Sequence, residues 1–162
     1  MTARPPWVGA VEIGEGGAAD LDGVVAVMNA AFDRQFGEGW TRPQCAGILP
    51  MSGVSLLVAR ERGSGQPLAF ALFRIIAQEA ELLLLGVAPP SSRQGIGRRL
   101  LDEFVERARA GGARRVHLEV RDGNTAIHMY RTAGFTLAGR RRNYYRGPSG
   151  QQFDALTLAR DV

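Results

Sequence analysis

Two glycines one residue apart, Gly95 and Gly97, lie in the stretch SRQGIGRRLL, between an apolar strand-like run and a leucine-rich run. A strand, a turn and a helix start in this order can bind an anion, because the first N–H groups of a helix have no intrahelical partner and the helix dipole favours negative charge there. A Rossmann fingerprint needs a third glycine, and a Walker A loop needs Gly-Lys-Ser or Gly-Lys-Thr. Neither motif fits, so the residues alone leave two readings open, an anion-binding turn and a tight structural turn.

A carboxylate and a phenol lie further along the chain, at Glu119 and Tyr130. Such groups can exchange protons with a substrate as general base and general acid. The residues alone are equally compatible with a cross-strand ion pair at Glu119 and with core packing of Tyr130. His117 and Glu81 are alternative bases, whereas we expect His128 to be exposed.

Hydrophobic periodicity predicts the elements that position these residues. Strands are predicted at WVGAVEI, VSLLVAR, PLAFALFRIIA, AELLLLGVAP, RRVHLEVR, FTLAGRRRN and FDALTLAR, the last two flanking a tyrosine loop, YYRGPSGQQ. Helices are predicted at AADLDGVVAVMNAAF, after Trp40 with Thr41 as N-cap, from Gly97 onward, and at NTAIHMYRTAGF with Asn124 as N-cap and Gly134 as C-cap. This order implies an α/β fold, a mixed sheet with helices on both faces. The glycine turn then follows a central strand, where open α/β sheets bind ligands.

Composition limits the protein class. A chain of 162 residues with 45% hydrophobic and 22% charged residues suits a single globular domain, residues 1–162, without an apolar run long enough to span a membrane. The start lacks a secretory signal and Cys45 is the only cysteine, so we expect a cytoplasmic protein without disulfides. No metal is expected.

The net charge of +4 permits an anionic partner, either a polyphosphate cofactor or nucleic acid. The run Arg140, Arg141 and Arg142 beside two tyrosines is compatible with a nucleic-acid patch. A solvated strand end is the alternative that we favour, so nucleic acid is not an expected partner.

The segment from about residue 80 to 147 resembles the Gcn5-related N-acetyltransferase family. The resemblance is carried by LLLLGVAPP, SSRQGIGRRLL, HLEVRDGN and AIHMYRTAGF; the family's turn reads Arg or Gln, x, x, Gly, x, Gly or Ala, and its backbone amides hold the pyrophosphate of acetyl-CoA. In this chain the first position of that turn is Ser92. Within the family, LEVRDGN, AIHMYRTAGF and RRNYY are most similar to the RimI-like ribosomal-protein-alanine N-acetyltransferases.

The resemblance implies a mostly antiparallel sheet of about seven strands, acetyl-CoA as cosubstrate, Glu119 as general base and Tyr130 as general acid. It also implies a bulge in the central strand, whose backbone would hold pantetheine and polarise the thioester carbonyl. The expected cofactor-binding residues are Leu85, Gly86, Val87, Arg93, Gln94, Gly95, Ile96, Gly97, Arg98 and Asn124. The residues expected to line the acceptor site are Trp40, Tyr144 and Tyr145.

The expected acceptor is the N-terminal α-amine of a protein, in particular the N-terminal alanine of a ribosomal protein. An α-amine has a pKa of about 7.7 to 8.0 and a lysine about 10.4, so making lysine neutral near pH 7 costs about 3 kcal/mol more. Two alternatives remain: the same chemistry on a small-molecule amine, and a non-catalytic module that binds acyl-CoA or RNA. We expect a monomer or a weak dimer.

Overall fold

The computed structural model of the protein describes residues 10–92 and 94–162. The start of the first predicted strand and the predicted cofactor ligand Arg93 lie outside the described residues. The described strands are β1 (Val11–Glu15), β2 (Val54–Glu61), β3 (Pro67–Ile76), β4 (Glu79–Val87), β5 (Arg115–Arg121), β6 (Thr136–Arg146) and β7 (Gln152–Asp161). The described α-helices are α1 (Leu21–Ala31), α2 (Arg42–Ile48), α3 (Ile96–Ala110) and α4 (Ala126–Thr132).

The seven strands form one sheet in the order β1-β2-β3-β4-β5-β7-β6. All neighbours pair antiparallel except β4 and β5, which are parallel because α3 connects them across one face of the sheet. The predicted mixed, mostly antiparallel sheet is therefore confirmed, and β4 is its central strand.

Two hydrophobic clusters cover the two faces of the sheet. On one face, α3 presents an apolar stripe at helical spacing, including Leu100 and Phe104, and the Phe104 ring lies 5.1 Å from that of Phe73 in β3. On the other face, Val24 and Met28 of α1 pack with side chains of β2, β3 and β4. Successive side chains of a strand point to opposite faces of the sheet, and this alternation determines which residues face each helix layer.

Local sequence signals explain where the shorter helices begin. The hydroxyl of Thr41 accepts a hydrogen bond from Gln44 N at 3.3 Å, and the Gln44 side chain accepts one from Thr41 N at 2.7 Å, which is a capping box that confirms the predicted N-cap of α2. The N-cap of α4 is Thr125 and not Asn124. Asn124 Oδ1 nevertheless accepts from Ala126 N at 2.8 Å, so the asparagine still satisfies one free donor of the helix start.

The predicted tyrosine loop is wrong in its boundaries, because β6 continues through both tyrosines to Arg146. The pairing of β6 with β7 is irregular between Arg141 and Tyr145, where Asn143 adopts a φ of 54°. The Asn143 N–H donates to Asp154 Oδ1 at 3.0 Å, and this contact lets the strand resume after the irregularity. The remaining turn between the two strands is residues 147–151.

No helix among residues 10–92 and 94–162 combines the length and apolar character needed to cross a membrane.

Candidate active site

A cavity of about 840 Å³ opens where β4 and β5 separate. The parallel pairing of these strands ends at Leu82 and Leu118. At the same level β4 has a bulge, because Leu72 of β3 pairs with Leu84 and the next residue pairs with Leu82, which leaves Leu83 as the extra residue. The bulge implied by the family resemblance is therefore present, and the open space beyond it is the candidate site.

The N-terminus of α3 forms one end of this cavity. Gly95 precedes the helix with a φ of 82°, a conformation that favours glycine, and Gly97 lies against β4. A Cβ on Gly97 would come within 3.3 Å of Val87 Cγ2 and 3.4 Å of Met129 Sδ, so a side chain there would fill the cavity end. The free N–H groups of the first helical turn and the Arg98 side chain make this end suited to a phosphate.

One buried polar atom near this end has no hydrogen-bond partner in the described part of the chain. Gln94 Nε2 donates to Pro90 O at 3.3 Å, whereas Gln94 Oε1 is buried without a hydrogen-bond partner among the described residues. The Ser92 hydroxyl donates to Pro89 O at 2.8 Å, so it is engaged within its own turn although Ser92 borders the cavity. These residues fit a diphosphate held by backbone amides rather than by a side chain at position 92.

Glu119 lies at the other end, on the cavity wall formed by β5. Its side chain is only 11% exposed, Oε2 accepts a hydrogen bond from Thr157 Oγ1 at 2.7 Å, and Oε1 forms an ion pair with Arg141 Nε at 3.0 Å. The sequence left two alternatives for Glu119, an ion pair and a place in the active site. In the structure Glu119 forms an ion pair and also lines the cavity. The two contacts fix the orientation of the carboxylate.

Tyr130 of α4 is buried, lines the cavity and packs with its ring 6.0 Å from that of Phe135. Burial raises the pKa of the Tyr130 phenol, and the nearby negative charge of Glu38 raises it further. The phenol therefore keeps its proton at neutral pH, which a proton donor requires.

Tyr145 lines the cavity between these groups, and its hydroxyl donates to the backbone oxygen of Glu119 at 3.3 Å. Tyr144 is half exposed, and its ring lies 4.9 Å from the Tyr145 ring but outside the described cavity wall. Trp40 packs in the cluster beneath α1, where its backbone N–H donates to the Met28 sulfur at 3.2 Å, and it too lies outside the described wall. Of the three predicted acceptor-site residues, the structure thus brings only Tyr145 to the cavity.

Some of the predicted cofactor-binding residues line the cavity, and others do not. Those on the described cavity wall are Leu85, Gly86, Val87, Gly95, Gly97, Arg98 and Asn124. Gln94 is not part of that wall, and the side chain of Ile96 is buried in the core at 3% exposure.

Sequence reasoning missed Glu38, which lies in the loop between α1 and α2 and lines the cavity. Its Oε1 atom accepts hydrogen bonds from Arg121 Nε at 3.0 Å and from Asn124 Nδ2 at 3.1 Å. The local signal is weak, a single acidic residue between Gly37 and Gly39. Its importance comes from partners more than 80 residues away, which no local pattern reveals.

The alternative bases lie apart from the cavity wall that the structure describes. Glu81 pairs with Arg74 at 2.9 Å, and His117 Nε2 is 3.9 Å from the same carboxylate. His128 is exposed, as expected, at the rim of the cavity.

The arginine run is largely neutralised by acidic neighbours. Arg140 forms ion pairs with Asp122 at 2.7 Å and Asp154 at 2.9 Å, and Arg141 pairs with Glu119. These contacts agree with a solvated strand end more than with a phosphate-binding patch. Within the described parts of the chain, no group of His, Cys, Asp and Glu is arranged to hold a metal ion.

Comparisons with known proteins agree with this geometry. Residues 23–135 match the acetyltransferase (GNAT) family. The chain is 38% identical over 97 residues to the ribosomal protein bS18-alanine N-acetyltransferase of Escherichia coli K12, a match covering 59% of this chain and 65% of that enzyme. It is 48% identical over 84 residues to the N-alpha-acetyltransferase RimI of Mycobacterium tuberculosis, covering 51% of this chain and 49% of that protein.

The crystal structure of the ribosomal-protein-S18-alanine N-acetyltransferase from Escherichia coli superimposes with a TM-score of 0.83 at 28% identity, covering 94% of both chains. The sequence matches named above thus span less than two thirds of their relatives, whereas the fold extends over nearly the whole of both chains. On the strength of its family match, its sheet and the cleft between β4 and β5, the chain belongs to the acetyltransferase (GNAT) family.

Proposed function

We propose that the protein transfers an acetyl group from acetyl-CoA to the N-terminal α-amine of a protein, with the N-terminal alanine of a ribosomal protein as the acceptor and the cytoplasm as the place of action. The observation that carries this proposal is the cleft itself. Its wall contains the N-terminus of α3, the edge of β4 beyond its pairing with β5, and the side chains of Glu119 and Tyr130. The relatives named as alanine N-acetyltransferases support the choice of acceptor.

The α3 end would hold the diphosphate. When bound, acetyl-CoA supplies an acetyl group activated as a thioester. The backbone of Leu85, Gly86 and Val87 lies between the helix mouth and the acid–base pair, and its N–H and C=O groups beyond the bulge are available to bind pantetheine. The same backbone would orient the thioester carbonyl and donate to its oxygen as negative charge develops there.

Glu119 and Tyr130 would move the two protons of the reaction. The acceptor nitrogen forms a bond to the carbonyl carbon while the carbon–sulfur bond breaks. Glu119, directly or through a water, takes the proton that the amine loses, and the Tyr130 phenol gives its proton to the departing sulfur. The burial of Tyr130 keeps its phenol protonated, and the hydrogen bond from Thr157 and the ion pair with Arg141 orient the Glu119 carboxylate.

An α-amine suits this pair better than a lysine side chain. A substantial fraction of α-amines is already neutral near pH 7, so a single carboxylate held by ordinary contacts is a sufficient base. Glu38 and Glu119 both line the cavity, and each is paired with an arginine, so they offer oriented acceptors for an ammonium group while their own charges are balanced.

Incubation of the purified protein with acetyl-CoA and a panel of acceptors tests the proposal. Thiol release and mass spectrometry should show acetylation of alanine-first ribosomal peptides. The matched control is the same peptide with a blocked N-terminus and an internal lysine, which should not react. Thiol release with polyamines and with none of the peptides would instead assign a small-molecule acceptor, and CoA binding or RNA binding without turnover would assign a binding module. Absence of CoA binding by calorimetry would reject the proposal entirely.

A further inference from the structure

We infer that Glu38 is a positioning residue that couples the acceptor-side loop, residues 33–39, to the start of α4, the helix that carries Tyr130. This inference rests on the proposed function, since it treats the loop as the acceptor side and α4 as the acetyl-CoA side of one cleft. In this role Glu38 holds the loop and the start of α4 in a fixed relative position. A general base or an ordinary surface ion pair would not do this.

The first link is the contact between Glu38 and Asn124. Asn124 Nδ2 donates to Glu38 Oε1 at 3.1 Å, while Asn124 Oδ1 accepts from Ala126 N at 2.8 Å. Both ends of the Asn124 amide are therefore engaged, and a flipped amide would lose both hydrogen bonds. Glu38 thus sets the orientation of the side chain that satisfies the start of α4, about one helical turn before Tyr130.

The second link is Arg121 at the end of β5. Its Nε donates to the same Glu38 Oε1 at 3.0 Å, and both side chains are nearly buried, at 13% and 11% exposure. The Arg121 guanidinium also lies 3.6 Å from the centre of the Phe36 ring. The loop therefore contacts Arg121 in two ways. The Glu38 carboxylate pairs with the guanidinium, and the face of the Phe36 ring packs against it.

The loop is also fitted closely to the turn between β6 and β7. Gly37 has a φ of 66°, and a Cβ there would lie 2.0 Å from Arg146 O; a Cβ on Gly147 would lie 2.1 Å from Gln35 O. The Phe36 ring meets the Phe153 ring edge to face at 5.1 Å. The loop therefore has a specific docked position, in which Glu38 reaches the cleft.

These contacts predict different outcomes for two substitutions. Glu38→Gln keeps an oxygen that can accept from both Arg121 and Asn124, so it should preserve the link. Glu38→Ala removes the acceptor, leaves a nearly buried guanidinium without its partner, and frees the Asn124 amide. A catalytic carboxylate would show the opposite pattern, since the amide would be as inactive as alanine.

Calorimetry with CoA tests the link without turnover. We expect Glu38→Ala to weaken CoA affinity about tenfold, although Glu38 belongs to the acceptor-side loop, and Glu38→Gln to change it less than about twofold. In a double-mutant cycle, Glu38→Ala should weaken CoA affinity less when Asn124→Ala is already present, because only the contact with Arg121 is then left to lose. Glu61→Gln, which removes a carboxylate at the end of β2, outside the described cavity wall, is the matched charge control and should bind CoA like the unsubstituted protein.

Steady-state kinetics and hydrogen exchange complete the test. Glu38→Ala should raise the peptide KM and speed exchange of the first α4 amides in the ligand-free protein, and Glu38→Gln should restore both. Equal CoA affinity and equal α4 exchange in Glu38→Ala and the unsubstituted protein would overturn the inference, as would a glutamine variant as impaired as alanine. Should the alanine variant fail to melt cooperatively, Asn124→Ala probes the same link from the other end, with faster exchange in residues 33–39 expected and unchanged exchange overturning it. Intact CoA binding without peptide acetylation would reject the proposed function while leaving the exchange result to decide this inference.

Discussion

Replacement of Glu119 by glutamine removes the proposed base while keeping its shape. Glutamine can still accept the hydrogen bond from Thr157, which at present reaches Oε2 at 2.7 Å. The ion pair with Arg141 is lost, but that arginine is 63% exposed, so the pair contributes less than about 1 kcal/mol to the free energy of unfolding. We therefore expect a folded variant whose melting temperature falls by no more than about 4 °C.

The effect on catalysis should be much larger than the effect on stability. A positioned general base accelerates proton transfer by about 10² to 10⁴. An α-amine near its pKa needs only modest help, so the lower part of this range applies, and we expect kcat with an alanine-first peptide to fall about a hundredfold and at least about tenfold. CoA affinity should change less than about twofold, because Glu119 lies at the end of the cavity away from the α3 N-terminus.

Glu81→Gln is the matched control. Glu81 faces the same side of the sheet, is paired with an arginine at 2.9 Å and is an alternative base, but it lies outside the described cavity wall. Thiol-release kinetics, calorimetry with CoA and thermal melting should be measured on both variants. Normal turnover in Glu119→Gln, or a larger loss in Glu81→Gln, would refute the assignment of the base.

Three further outcomes are expected. Tyr130→Phe should lower kcat at least about tenfold with CoA affinity unchanged, as measured by thiol release and calorimetry, and normal turnover would remove the phenol from the mechanism. Gly97→Val should weaken CoA affinity about tenfold with the fold retained by circular dichroism, because its side chain would occupy the cavity end; unchanged affinity would place the diphosphate elsewhere. The hydrogen bond from Gly17 N and then the Arg60 side chain hold the pKa of Asp20 below its usual value, so this stabilisation is present at neutral pH and is lost as the pH falls below about 4 through the folded-state pKa. Asp20→Asn should therefore reduce the free energy of unfolding in urea by about 1 to 2 kcal/mol at pH 7 and show a smaller loss between pH 4 and pH 2 than the unsubstituted protein, and equal pH dependence would contradict this account.

The regular elements could be predicted because their signals are local. The apolar stripe of α3 and the alternation of β5 each bury one side of a single element, and Thr41 caps a helix with a partner three residues away. The family motifs likewise lie on contiguous segments. Such features depend little on how distant parts of the chain pair.

The features that could not be predicted from the sequence depend on contacts between residues far apart along the chain. The predicted strand FTLAGRRRN ended before the tyrosines, which were expected in a loop, yet pairing with β7 extends the strand through both tyrosines to Arg146. The contacts of Glu38 with Arg121 and Asn124 cross more than 80 residues, and the carboxylates that neutralise Arg140 come from two other segments. In each case the neighbours are determined by how distant segments of the chain come together in the fold.

The early end of the pairing between β4 and β5 leaves a sheet edge inside the molecule. Beyond that point the β4 edge facing β5 has backbone N–H and C=O groups without a strand partner, so an extended ligand can pair with it. A cosubstrate bound along that edge shields it and, at a hundred times its Kd, adds about 2.7 kcal/mol to the free energy of unfolding. Occupancy of the cleft therefore contributes to the thermodynamic stability of the folded chain.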